Sequence, residues 1–299
     1  MTIHDGILSL VGETPMVRLA AIAKEGGAEV CGKHEAMNPT GSVKDRAAWS
    51  MIQAAEASGE LQPGATIVEA TSGNTGISLA MISAVRGYRC IIVMPEDMSQ
   101  ARRDILKAYG AEIVLTRADE GMAGAVDEAD VLAKRFDAFV CGQFENPANP
   151  EVHAKTTAEE IWRQTKGEVH AFVAGVGTGG TVTGVGRALK AKNPSVRIIA
   201  VEPRASAVLS GGRPGLHGIQ GLGAGFVPKV LDLDIVDDIV TVTDLAADRM
   251  MRRLSREEGL LLGPSGGANV HAASEVARRM EPGQRVVTIL CDGGERYFG

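Results

Sequence analysis

The stretch Ala171-Phe172-Val173-Ala174-Gly175-Val176-Gly177-Thr178-Gly179-Gly180-Thr181 decides the architecture. Four small apolar residues end in a glycine-rich turn, and a helical pattern follows over 182–191. An apolar strand, a turn of bare backbone amides and a helix in that order make one βα unit, with a phosphate-sized anion site at the helix start. Gly175, Gly177 and Gly180 also satisfy GxGxxG, and Glu202 follows after a further apolar run. On spacing alone this is the dinucleotide fingerprint, so a nicotinamide-dependent oxidoreductase enters as one reading.

The same alternation runs outward in both directions. Apolar runs at 29–33, 66–69, 90–94, 112–115, 138–141, 197–201, 239–242 and 285–290 read as strands. Helical patterns read at 47–58, 77–85, 100–109, 123–135, 154–165, 246–258 and 269–280. Strands that are apolar almost throughout belong to parallel sheets covered on both faces. The fold class is therefore α/β, with two domains, each a mainly parallel sheet flanked by helices. A Pro/Asn-rich crossing at Asn146-Pro147-Ala148-Asn149-Pro150 interrupts the pattern. The expected division is a smaller mobile domain over 40–145, and a larger one made of 1–39 plus 146–299. Residues 210–228 hold seven glycines and two prolines, a composition that suits a long irregular segment.

Composition narrows the function classes. The chain has 299 residues, 44% of them hydrophobic and 23% charged, and a net charge of −6. No dense Lys/Arg cluster suggests nucleic acid, and no run of about 18 apolar residues suggests a membrane span. The first residues lack a signal-peptide pattern, so a cytoplasmic location is expected. Cys31, Cys90, Cys141 and Cys291 each lie in or beside an apolar run and form no CxxC pair. They read as buried thiols, and no metal site is expected.

Three more turns join strands to helices. In Asn38-Pro39-Thr40-Gly41-Ser42-Val43-Lys44-Asp45-Arg46, Ser42 reads as a helix cap and Lys44 falls in the first turn. The helix dipole disfavours a cation there, which makes Lys44 a candidate for imine chemistry. The turn Glu69-Ala70-Thr71-Ser72-Gly73-Asn74-Thr75-Gly76 is richer in donors than a cap requires, and reads as a carboxylate or phosphate cradle. Leu262-Gly263-Pro264-Ser265-Gly266-Gly267-Ala268 opens the last helix.

These four loops together resemble the fold-type II, tryptophan synthase β-like pyridoxal-phosphate (PLP) enzymes, and within them the O-acetylserine sulfhydrylases. Val11-Gly12-Glu13-Thr14-Pro15, Met94-Pro95-Glu96-Asp97, Ile219-Gln220-Gly221-Leu222-Gly223 and Gly294-Glu295-Arg296-Tyr297 extend the resemblance over the whole chain. It implies that Lys44 forms the Schiff base with PLP and that Asn74 binds the ring hydroxyl. Gly177, Thr178, Gly179, Gly180 and Thr181 are implied as the phosphate cup, and Ser265 as the partner of the pyridine nitrogen. A neutral hydroxyl there leaves the ring a weaker electron sink than a carboxylate would, which suits β-replacement. Thr71, Ser72, Gly73, Thr75 and Gln143 are implied as the substrate-carboxylate site. The implied reaction makes L-cysteine from O-acetylserine and sulfide through an α-aminoacrylate, with Lys44 as general base. Cystathionine β-synthase and an O-phosphoserine sulfhydrylase are sister activities; Arg213 is the cation available to the latter. The resemblance further implies a homodimer, and raises serine acetyltransferase as a protein partner.

Overall fold

The computed structural model describes residues 3–23 and 27–297. The described residues form two compact units, one of residues 3–11 and 44–148, the other of 12–23, 27–43 and 149–297. Each carries its own sheet.

In the first unit, β3 (Thr66–Ala70), β4 (Arg89–Pro95) and β5 (Glu112–Thr116) pair in parallel in that order. Side chains alternate between two buried layers. Ile67, Cys90, Ile92 and Met94 join a core shared with the helices Lys44–Ser58 and Asn74–Arg86, whereas Val68, Ile91 and Val93 meet Ala125, Ala129 and Leu132 of the helix Gly121–Phe136. Burial on both faces explains why these strands read as continuous apolar runs. The run at 138–141 is not a full strand. It contributes a single parallel bridge at Phe139, whose N–H and carbonyl bond Thr66 and Val68 at 2.9 Å.

The second unit holds six strands in the order β1-β2-β9-β6-β7-β8. They are β1 (Met16–Arg18), β2 (Glu29–His34), β9 (Arg285–Leu290), β6 (Ala171–Gly175), β7 (Arg197–Pro203) and β8 (Asp238–Val242). All pairings are parallel except β1 with β2. The three-residue β1 was not legible as a strand. Along β6, Ala171 and Val173 face the helix Pro264–Arg278, while Phe172 and Ala174 share a layer with Val182, Val185 and Leu189 of the helix Gly180–Lys192. Each such fully buried Val, Leu or Phe contributes about 1.5–3 kcal/mol of transfer free energy. Residues 207–232 form neither helix nor strand.

Candidate functional site

Lys44 is the first residue of its helix. Ser42, two residues ahead of it, is fully buried and bridges Asp292. The loop leading to Lys44 is pinned within the second unit: Val43 N–H bonds Cys291 O at 2.9 Å, and Arg296 Nη2 donates to Thr40 O at 2.6 Å. Lys44 is half-buried, and its neighbours Asp45 and Arg46 are buried.

The first unit also carries the donor-rich loop. Thr71 N–H bonds Val93 O at 3.0 Å, which fixes the loop to the end of β4. Gly73 caps the helix Asn74–Arg86 with no side-chain hydrogen bond, so the first amides of that helix are not satisfied by a cap. Thr75 Oγ1 donates to Gln143 Oε1 at 2.8 Å, and both residues are buried. Thr71, Ser72, Gly73, Asn74 and Thr75 are thereby joined by Gln143, which is 68 residues away along the chain. Ser78 Oγ donates to Asp45 Oδ1 at 2.6 Å and approaches Asn74 O at 3.1 Å, linking the helix that begins at Lys44 to the one that begins at Asn74.

In the second unit, Gly177, Thr178, Gly179, Gly180 and Thr181 form the turn between β6 and the helix Gly180–Lys192. Gly179 adopts φ +87°, and a Cβ there would lie 2.8 Å from Leu231 Cβ, so glycine is required on both counts. A Cβ on Gly177 would sit 2.2 Å from Gly221 O. This helix, too, begins without a side-chain cap. Thr178 Oγ1 accepts from Asn149 Nδ2 at 3.0 Å and more distantly from Gly180 N–H at 3.4 Å. With both lone pairs engaged, its proton points to a further acceptor. Thr181 Oγ1 meets His153 Nε2 at 3.3 Å, and His153 Nδ1 meets Thr157 Oγ1 at 3.0 Å, inside the single π-helical turn His153–Thr157. Uncapped amides and an oriented hydroxyl suit a phosphate dianion.

Ser265 lies within the first turn of Pro264–Arg278, not in a turn ahead of it. It is buried, and its hydroxyl makes no hydrogen bond among the described residues. A ring nitrogen would give that hydroxyl a partner. Glu202, the acid of the dinucleotide reading, is buried and bonds Leu209 N–H, Ser210 N–H and Ser210 Oγ at 2.8, 3.0 and 2.5 Å. It fastens its own loop, so the nicotinamide reading loses its ribose ligand.

Three residues of these surroundings escaped the sequence reading: Asn149, His153 and Glu69. The last had a signal, a lone acid in an otherwise apolar strand. Glu69 is buried, and burial raises its carboxyl to about 7 against the opposing pull of the Gly142, Cys141 and Gln143 amides. Burial also lifts the thiols of Cys31, to about 11, and Cys90, to about 12. Among the described residues, no group of His, Cys, Asp and Glu could hold a metal, and no helix is long and apolar enough to cross a membrane.

Comparison with known proteins supplies the context for this geometry. The chain is 51% identical over 295 residues to a cysteine synthase of Staphylococcus aureus (strain Mu50 / ATCC 700699), covering 98% of this chain and 95% of that protein. A crystal structure of cysteine synthase from Entamoeba histolytica superposes with a TM-score of 0.96 at 42% identity, over 100% of this chain and 90% of that one. An O-ureido-L-serine synthase structure does so at 0.97 and 45%, over 100% and 94%. The family described as pyridoxal-phosphate dependent enzyme matches residues 7–292. With uncapped helix starts, a serine hydroxyl that makes no hydrogen bond among the described residues and this match over nearly its whole length, the chain belongs to the pyridoxal-phosphate dependent enzymes.

Proposed function

We propose that this enzyme is a cysteine synthase, which exchanges the acetate of O-acetyl-L-serine for sulfide at the β-carbon and releases L-cysteine. The observation that carries the reading is the 51% identity to a cysteine synthase over 98% of the chain. PLP, when bound, withdraws electrons from the α-carbon of an attached amino acid and so labilises its α-proton and β-substituent.

The remaining work falls to the side chains. The amides of Gly177, Gly179 and Gly180, with the hydroxyls of Thr178 and Thr181, hold the phosphate. Asn74 donates to the ring hydroxyl. Ser265 donates its hydroxyl to the pyridine nitrogen and adds no charge. Lys44 would be the attachment point for the cofactor, and its amine the base that takes the α-proton of the substrate. Thr71, Ser72, Thr75 and Gln143, with the Gly73 amide, receive the α-carboxylate. Thr75 supports that role, because its hydroxyl donates to the Gln143 carbonyl and so fixes the orientation of that side chain. Within this reading, 40–145 act as the mobile smaller domain, which excludes water from the reacting carbon when substrate is held. We further propose a cytoplasmic homodimer; serine acetyltransferase is the protein partner to test.

Replacement of the attachment point tests the assignment. The purified protein is expected to be yellow, and borohydride is expected to fix the chromophore on Lys44. Lys44→Ala should lose both the label and cysteine formation, the latter by about 10²–10⁴-fold or more. A wild-type protein that forms no cysteine from O-acetylserine and sulfide, yet turns over another serine ester, would overturn the assignment.

A further inference from the structure

The buried carboxylate of Glu69 has no role in the chemistry assigned above. It sits on β3, two residues before Thr71, on the sheet face that also carries Ile67 and Ile92. Burying a carboxylate in such a layer is expensive unless donors converge on it. Here one does: Cys141 N–H reaches Oε2 at 3.1 Å, and the dipoles of the following Gly142 and Gln143 amides pull the carboxyl downward against burial. No charged side chain contributes to this environment among the described residues. The thiols nearest to it, Cys90 and Cys141, are themselves pushed up by its charge and by burial.

The Cys141 amide thus anchors its segment to a carboxylate supplied from within the chain. The backbone is bent for the purpose. Gly142 adopts φ +61°, a conformation open to glycine at no cost. Its carbonyl accepts from the N–H groups of Glu145 and Asn146 at 2.9 Å, and Asn146 Nδ2 closes the turn on Cys141 O at 2.9 Å. Upstream, the Phe139 bridge fastens the same segment to β3. Glu69 thus joins the two stretches whose tips meet in the Thr75–Gln143 hydrogen bond: the loop 71–75, which follows β3 directly, and the turn that ends in Gln143.

We propose that Glu69 is a positioning residue, which anchors the 141–146 turn through the Cys141 amide and so holds the Gln143 side chain in register with Thr75 for the substrate carboxylate. The inference deepens the cysteine synthase reading and rests on it for the identity of the substrate. Glu69 itself touches no reacting atom.

The test uses the PLP-loaded enzyme, with the variants Glu69→Gln, Gly142→Ala, Gln143→Ala and the double variant Glu69→Gln/Gln143→Ala. Glu69→Gln keeps the volume and removes the charge, so its hydrogen bond falls from charge-assisted to neutral strength. The KM for O-acetylserine should rise about tenfold while kcat changes by less than about threefold, because binding geometry and not proton transfer is disturbed. In the Gln143→Ala background, the same change should shift KM by less than about twofold. Hydrogen exchange should show faster exchange confined to residues 139–146 in Glu69→Gln. Gly142→Ala should reproduce the KM shift by straining the turn at its φ of +61°, and it decides the matter if Glu69→Gln does not fold. Effects on KM that multiply independently in the double variant, or exchange in 139–146 unchanged from wild type, would overturn the proposal. If wild type does not turn over O-acetylserine, the cysteine synthase reading fails, and the exchange data still decide whether Glu69 holds the turn.

Discussion

Ser78 Oγ lies 2.6 Å from Asp45 Oδ1, and both residues are completely buried. Asp45 is the second residue of the helix that starts with Lys44, and Ser78 is one turn into the helix that starts with Asn74. The bond therefore sets the starts of two helices relative to each other, and each start carries a residue assigned to the cofactor. Ser78→Ala removes the donor and leaves a buried carboxylate oxygen poorer by one bond. The expected cost is about 1–3 kcal/mol of stability. The kcat for cysteine formation should fall more than KM rises, since Lys44 and not the carboxylate loop loses its support. Urea unfolding and steady-state kinetics on the same preparation check both halves. Wild-type values of both would show that the helix starts are fixed by other contacts.

The raised carboxyl of Glu69 makes a statement about stability as well as position. Its folded value, about 7, exceeds the ordinary value of 4.5 because burial disfavours the ionised form. A group raised on folding contributes stability that is fully present below the unfolded value. That stability is lost as pH rises through the folded value. Between pH 4.5 and 7, wild type should therefore lose stability relative to Glu69→Gln, by an amount of the order of 3 kcal/mol at about 1.4 kcal/mol per pKa unit. Denaturant unfolding of the two proteins at pH 5 and pH 8 gives the difference. A gap that stays constant across that range would mean that the carboxyl titrates at its ordinary value. A gap that opens as expected would mean that the enzyme ionises Glu69 towards neutral pH at a net cost in stability, the usual exchange where a residue serves the site.

Arg213 belongs to the exposed run 211–216 and has no ion-pair partner among the described residues. A cation that nothing orients cannot select between esters by geometry. Arg213→Ala should leave kcat/KM for O-acetylserine within about twofold of wild type, well below the effect of losing one charge-assisted contact. O-phosphoserine should be the poorer substrate for both proteins. Kinetics with the two esters and sulfide provide the comparison. Faster turnover of O-phosphoserine, lost selectively in Arg213→Ala, would move the enzyme to the phosphoester.

Local pattern alone determined the α/β class and eight of the nine strand positions, because strands buried on both faces must be apolar at every position. It also located the loops that carry Lys44, Asn74, Thr178 and Ser265, since glycine, threonine and serine between an apolar run and a helix leave few alternatives. Pairing was decided only by tertiary structure. The run at 138–141 has the composition of a strand but makes one bridge, because Cys141 and its neighbours turn away to meet Glu69. The three-residue β1 is a strand only because β2 offers an antiparallel edge. The last helix starts at Pro264 and not at Asn269, although Gly266 and Gly267 weigh against helix. A Cβ on Gly267 would lie 2.4 Å from Ala247 O, so glycine there allows the helices Asp244–Glu257 and Pro264–Arg278 to pack closely, and packing overrides propensity. Composition marked the Thr71–Thr75 turn as an anion cradle, but the Thr75–Gln143 contact and the Glu69–Cys141 hydrogen bond arise from segments about 70 residues apart. No local period encodes such contacts, because loop-closure entropy is repaid only by the completed fold.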